Sequence, residues 1–170
     1  MGTRSDIIVK LADNYWKRIY CHWGGYLSNN GHILLHYYNS QAKAAKLVKN
    51  GNLSSLAEKC TKPRALKDGK PHSFDNRIEG YSVYYGRDRK EKDVDGFTGE
   101  SLEAVWPEDS GTEFTYVWNG QKWLVGNPDE GTQTLIDLTD EAIAAEERGE
   151  NPIKSAIKAF GGNFVIGQRA

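Results

Sequence analysis

Cysteine is scarce in this chain: Cys21 and Cys60 are the only two among 170 residues, and no Cys-x-x-Cys pair occurs. That excludes a disulfide scaffold, a zinc ribbon and a thioredoxin-type site, and leaves two reduced, buried thiols. Neither a P-loop sequence nor Gly-x-Gly-x-x-Gly is present, which excludes the two common phosphate-cradling loops. No apolar run approaches the roughly 20 residues that a membrane-spanning helix needs. The opening Met1-Gly2-Thr3-Arg4-Ser5-Asp6 carries no apolar stretch of the secretory kind. The expectation is a soluble, globular, intracellular protein. Five Trp, nine Tyr and five Phe supply the bulky surface for a core and argue against a disordered chain.

Charge is nearly balanced overall, at -1, but not along the chain. Residues 1–92 carry 17 Lys and Arg against 8 Asp and Glu, a net of +9. Residues 93–170 carry 5 against 15, a net of -10. Such a split speaks about partners rather than fold. The basic half can hold phosphates. The acidic half can imitate a phosphate backbone toward a basic protein, or simply keep a helix face in water.

The β-branched run 6–12 reads as a strand, Asp13-Asn14 as a turn, and 15–23 as the returning strand. On that strand Trp16, Arg18, Tyr20 and His22 share one face, and Lys17, Ile19, Cys21 and Trp23 the other. Three short helices follow: 30–38; Gln41–Lys49, capped by Ser40, with Ala45 and Val48 inward and Asn50-Gly51 at its end; and a capping-box helix at Ser55–Glu58. Residues 61–77 read as a basic loop, 80–85 as a strand and 94–112 as irregular. Residues 113–118 and 121–125 flank Asn119-Gly120, which fits a type I′ hairpin turn. That hairpin is expected beside the Tyr81–Tyr85 strand. Two helices close the chain. The first has Thr139 as its cap, a Leu138–Ile143 staple and Gly149 at its end. The second opens at Asn151-Pro152 and gathers Ile153, Ala156, Ile157 and Phe160 on one face. A last short strand is expected at 163–167.

The fold expected is α+β: an antiparallel sheet of four to five strands, short helices on one face and a C-terminal helical pair. Aromatics give way to acidic helix formers near residue 127. The chain therefore divides into a core domain, 1–126, expected to fold alone, and an acidic helical appendage, 127–170, packed on it.

Four elements, the Met1-Gly2-Thr3-Arg4-Ser5 start, Ile19-Tyr20-Cys21-His22-Trp23-x-Gly25-Tyr26, Gly51–Leu56 and Arg87-Asp88-Arg89, together resemble a family of small bacteriophage proteins. The resemblance covers roughly residues 1–125. It departs at Gly24 and Gly86, where family members often carry Asp and His. It implies a phage accessory product acting in the cytoplasm of an infected bacterium, and it supplies no reaction.

His32 and His36 stand at i,i+4, a spacing that can hold zinc, but the sequence between them lacks the Glu of a metalloprotease. Nothing in the spacing demands an ion, so no metal and no cofactor is expected. Cys21 and His22 point to opposite strand faces, so they form no direct dyad. Arg87 and Arg89, two apart on a strand, would share a face and offer planar forks to phosphate oxygens. Tyr20, Trp23, Tyr26, Tyr84 and Tyr85 offer stacking faces for a base. The ligand-binding set read from the sequence is Tyr20, His22, Trp23, Tyr26, Tyr85, Arg87, Asp88 and Arg89, with no catalytic residue assigned.

The function expected is a phage-encoded binding protein that counters bacterial defence by sequestering a phosphorylated nucleotide-type ligand. One alternative is a protein inhibitor of a host nuclease or polymerase, acting through acidic residues such as Asp129, Glu130, Asp137, Asp140, Glu141, Glu146, Glu147 and Glu150. The other is a small nucleotide hydrolase using His22 with Asp88. The partner expected is that small ligand or a host defence protein, with nucleic acid not favoured and no membrane.

Overall fold

A computed structural model describes residues 2–60, 70, 72–108, 110–128 and 134–160. The expected strand at 163–167 and most of the basic loop lie outside them. Strands β1 (Ser5–Ala12) and β2 (Tyr15–Cys21) form the expected hairpin, with Ile7 opposite Ile19 and Asp6 opposite Tyr20. Residue 14, at φ 59°, is an Asn, one of the few non-glycine types that tolerate a left-handed turn position. A π-helical turn, Leu27–Gly31, leads into α1 (His32–Tyr37). Helix α2 (Gln41–Val48) starts where the Ser40 hydroxyl accepts from the Lys43 N–H. Its inward residues are Ala44, Leu47 and Val48; Ala45 is half-buried.

The capping-box helix at Ser55–Glu58 does not form. Residues Leu53–Ser55 are strand β3, and the backbone beyond is drawn into tertiary bonds. Ala57 N–H donates to the Ser82 hydroxyl, and the Ala57 carbonyl accepts from the Tyr38 hydroxyl at 2.6 Å. The strand expected at 80–85 shrinks to β4 (Val83–Tyr84), because the chain turns at residues 85–89. The stretch expected to be irregular holds β5 (Phe97–Gly99) and a short α3 (Leu102–Val105), capped by Ser101.

Strands β6 (Phe114–Trp118) and β7 (Trp123–Gly126) pair as expected from the aromatic alternation. Asn119 N–H bonds the Lys122 carbonyl, leaving Gly120-Gln121 as the loop. Gly120 at φ 101° therefore takes the first central position, the Gly-first pattern of a type II′ rather than a type I′ turn. Strand β8 (Ile136–Asp137) extends this hairpin.

The sheet is open, mixed and larger than expected: eight strands among the described residues, in the order β4-β3-β2-β1-β6-β7-β8, with β5 also on β2. Strand β6 lies parallel to β1, and β3 parallel to β2. The aromatic hairpin thus stands across β1, β2 and β3 from β4, not beside it. Burial explains the choice: β1 has the most apolar run, its first five residues are buried, and it occupies the centre with a strand on each side.

Most helices cover one face. There Ile7, Val9, Ile19 and Cys21 meet Leu34, Leu47, Val48, Tyr84, Tyr116 and Trp123. On the other face Ile8, Val117 and Leu124 pack under Leu102, Val105 and Trp106 of the α3 region. The buried phenols are satisfied by carbonyls: Tyr84 donates to Leu47 and Tyr116 to Gly25, each at 2.6 Å.

Helices α4 (Asp140–Glu147) and α5 (Pro152–Phe160) form with the expected Thr139 cap. They are woven into the larger core, to which Leu138, Ile143 and Ile153 contribute. The Glu146 carboxylate accepts from the Leu27 and Ser28 N–H groups at 2.8 and 2.9 Å and from the Ser28 hydroxyl at 3.0 Å, so α4 also completes the π-helical turn. No helix among the described residues is long and apolar enough to cross a membrane.

Candidate functional site

The site is assembled at the end of β2, on the face away from the larger core. Tyr20 and His22 alternate onto that face, and the Tyr20 hydroxyl lies 2.6 Å from His22 Nδ1. Burial, then the neighbouring Tyr85, pushes the Tyr20 phenol up to about 12, against the opposing pull of the Arg4 charge. Tyr20 therefore remains a neutral hydroxyl at physiological pH and is unsuited to act as a phenolate nucleophile. A phenol that donates to Nδ1 leaves the imidazole proton on Nε2. No described residue accepts from that Nε2.

Tyr85 joins this pair through Asn52, a residue of the Gly51–Leu56 element to which sequence reasoning assigned no role in the site. Asn52 Oδ1 accepts from the Tyr20 N–H at 2.9 Å, and its carbonyl accepts from the Tyr85 N–H at 3.1 Å. The backbones of the two tyrosines are thereby held to one residue. Burial, partly opposed by a hydrogen bond with Ser54, raises the Tyr85 phenol as well. Arg89 lies over the Tyr85 ring at 5.0 Å and pairs with Glu91 at 3.0 Å. At the other end Arg4 is exposed and pairs with Glu113 at 3.6 Å. Exposed pairs of this kind are worth only about 0–1 kcal/mol, so an incoming anion can displace either carboxylate.

Arg87 and Asp88 occupy a different environment. The turn at 85–89 breaks strand alternation, and Arg87 does not share a face with Arg89. Its guanidinium donates from Nε and Nη2 to the two Asp88 oxygens, at 2.9 and 2.8 Å. It also donates to the Cys60 carbonyl at 2.6 Å and the Ser82 carbonyl at 3.0 Å. Asp88 further accepts from the Tyr84 N–H at 2.9 Å. The side chains are 9% and 4% exposed, so this knot ties the end of β4 to Cys60 and turns no fork outward. No hydrogen bond joins His22 to Asp88, and an acid–base pair between them has no geometric support.

Trp23 lies against His22 edge-on at 4.7 Å and stacks on Phe74 at 5.0 Å. A Cβ on Gly2 would fall 2.3 Å from the Trp23 ring, so this indole packs closely against the N-terminal backbone. Arg77 covers Phe74 at 5.0 Å. Phe74 sits in a loop where no periodicity marks it. Tyr26 is exposed, opens the π-helical turn and makes no ring contact with this cluster among the described residues.

The same sheet face continues to Asp6, opposite Tyr20 in register. Asp6 is buried and accepts from the Thr112 hydroxyl at 2.6 Å and the Ser110 hydroxyl at 3.1 Å, with Arg18 Nε 4.0 Å away. Burial raises its carboxyl above the ordinary value despite these partners. Among the acidic groups of the C-terminal segment, Asp137 pairs with Lys122, Asp140 with His36, and Glu141 and Glu150 with Arg148. Glu146 is spent on the π-helical turn. Of those described, only Glu147 has no such partner; Asp129 and Glu130 lie outside the described residues. Comparison of the chain with protein-family models, curated proteins and solved structures finds no match.

Proposed function

We propose that the protein is a phage-encoded accessory binding protein that counters bacterial defence by capturing a phosphorylated, nucleotide-type ligand at Tyr20, His22 and Tyr85. The observation that carries the ligand class is the pairing of two tyrosines across Asn52, one bonded to His22 and the other carrying Arg89 on its ring. Half-exposed aromatic faces suit a base. A histidine with Nε2 unpaired among the described residues, with Arg89 and Arg4 on either side, suits phosphate oxygens. What supports the phage setting is the sequence resemblance.

Arg89, rather than Arg87, supplies the charge in this reading. A charge-assisted hydrogen bond is worth about 1.5–3 kcal/mol, so Arg89→Ala weakens capture by roughly 10- to 100-fold. The experiment is calorimetric titration of wild type, Arg89→Ala and Tyr85→Ala with linear and cyclic nucleotides and with short single-stranded DNA, at two salt concentrations. Binding of a mononucleotide with a shallow salt dependence, weakened in both variants, is expected. A steep dependence seen with DNA alone assigns the surface to a polymeric backbone, and no binding by wild type ends the reading.

A further inference from the structure

We propose that His32, His36 and Asp140 form a site for a divalent transition-metal ion of the zinc class, on the side of the sheet opposite the tyrosine pair. The two histidines lie one helical turn apart on α1, and their rings are tilted by 40° with centroids 4.5 Å apart. Asp140, the first residue of α4, reaches in from a distant part of the chain. His36 Nε2 donates to Asp140 Oδ1 at 2.7 Å. One ligand atom from each residue lies within 4.8 Å of the other two. Half of the chain's four histidines thus converge on one carboxylate.

A tetrahedral ion with bonds of about 2.0–2.1 Å sets its ligands about 3.4 Å apart. The wider separations therefore close by at most about 1.4 Å and the 2.7 Å His36–Asp140 contact opens by less than about 1 Å, within the reach of side-chain torsions. All three are exposed, which leaves room for the movement. Two neutral imidazoles and one carboxylate leave a charge of about +1 and at least one position for water. That donor set favours zinc, cobalt or nickel over magnesium and calcium, which prefer oxygen. The bound ion would clip α1 to the first turn of α4, while Glu146 fastens the last turn of α4 to Leu27 and Ser28.

The test is titration of the full chain with Zn2+ alone, read by calorimetry and thermal unfolding, beside His32→Ala, His36→Ala, their double variant and Asp140→Asn. One ion per chain is expected, with affinity at least tenfold weaker in each single histidine variant. Zinc at about 100 times its dissociation constant should raise Tm by about 5–10 °C. Co2+ should give d–d bands without thiolate charge transfer. The proposal is overturned if wild type binds no ion. It is equally overturned if the double variant binds as wild type does, or if thiolate bands appear and place the ion on Cys21 or Cys60.

Discussion

Arg87→Ala is a stability variant, not a binding variant. The substitution removes both partners that Arg87 gives Asp88 and strips hydrogen bonds from the carbonyls of Cys60 and Ser82. Asp88, with its side chain 4% exposed, keeps only the Tyr84 N–H. Removing one partner of a buried ion pair costs about 3–5 kcal/mol, chiefly because the remaining charge is stranded. With a urea slope of about 2 kcal/mol per molar, the unfolding midpoint falls by about 1.5–2.5 M. Arg89→Ala deletes a half-exposed pair with Glu91 and costs about 0–1 kcal/mol. Equilibrium urea unfolding, followed by the fluorescence of the five Trp, reads both. Arg87→Met combined with Asp88→Leu should recover the part of the loss due to the stranded charge, but not the hydrogen bonds to the Cys60 and Ser82 carbonyls and from the Tyr84 N–H. An Arg87→Ala midpoint within about 0.3 M of wild type would refute the reasoning.

Asp6 gives a pH dependence whose sign follows from its raised carboxyl. Between the ordinary carboxylate value and the raised one the folded state holds more protons than the unfolded chain, so stability falls as pH rises through that window. Asp6→Asn should remove this fall, being at least as stable as wild type at neutral pH and losing any advantage below the ordinary value; chemical unfolding at several pH values checks it. Truncation after residue 126 removes β8, the Glu146 contacts and the core side chains Leu138, Ile143 and Ile153. At about 1.5–3 kcal/mol for each buried aliphatic, the remainder is expected in inclusion bodies, and soluble expression with retained near-UV circular dichroism would show the opposite.

Local chemistry was readable from the chain, and choice of partner was not. The β1–β2 hairpin, the Ser40 and Thr139 caps and the face shared by Tyr20 and His22 follow from periods and side-chain bonds within a few residues. The place of β6 beside β1 depends on which strand is apolar enough for the centre, a comparison across more than 100 residues. The Ser55–Glu58 pattern obeys a local rule, but Ser82 and Tyr38 claim the backbone of Ala57 first. The Arg-x-Arg spacing promises a shared face only while the chain is extended. Asp88 ends that extension by accepting from Tyr84 N–H, so spacing alone could not tell a phosphate fork from a buried knot.

The tyrosine pair stands where one strand edge passes from one partner to another. The outer edge of β2 pairs with β5 at Trp16–Arg18 and with β3 at Cys21. Between them the Tyr20 N–H has no strand to meet, and leaving such a group buried and unpaired costs about 1–3 kcal/mol. Asn52 meets it with a side-chain oxygen. The same residue accepts from Tyr85 and donates to the Val94 carbonyl at 2.8 Å, so one asparagine joins β2, the turn after β4 and the approach to β5. That approach is open to glycine alone. Gly96 has φ 91°, and a Cβ there would stand 2.3 Å from the Arg18 carbonyl oxygen. The placement of the Tyr20 and Tyr85 backbones is therefore a consequence of satisfying backbone groups at a split edge. A surface whose backbone is ordered in advance spends less of its contact energy on ordering itself, which favours the capture proposed at Tyr20, His22 and Tyr85 with Arg89 and Arg4 beside them.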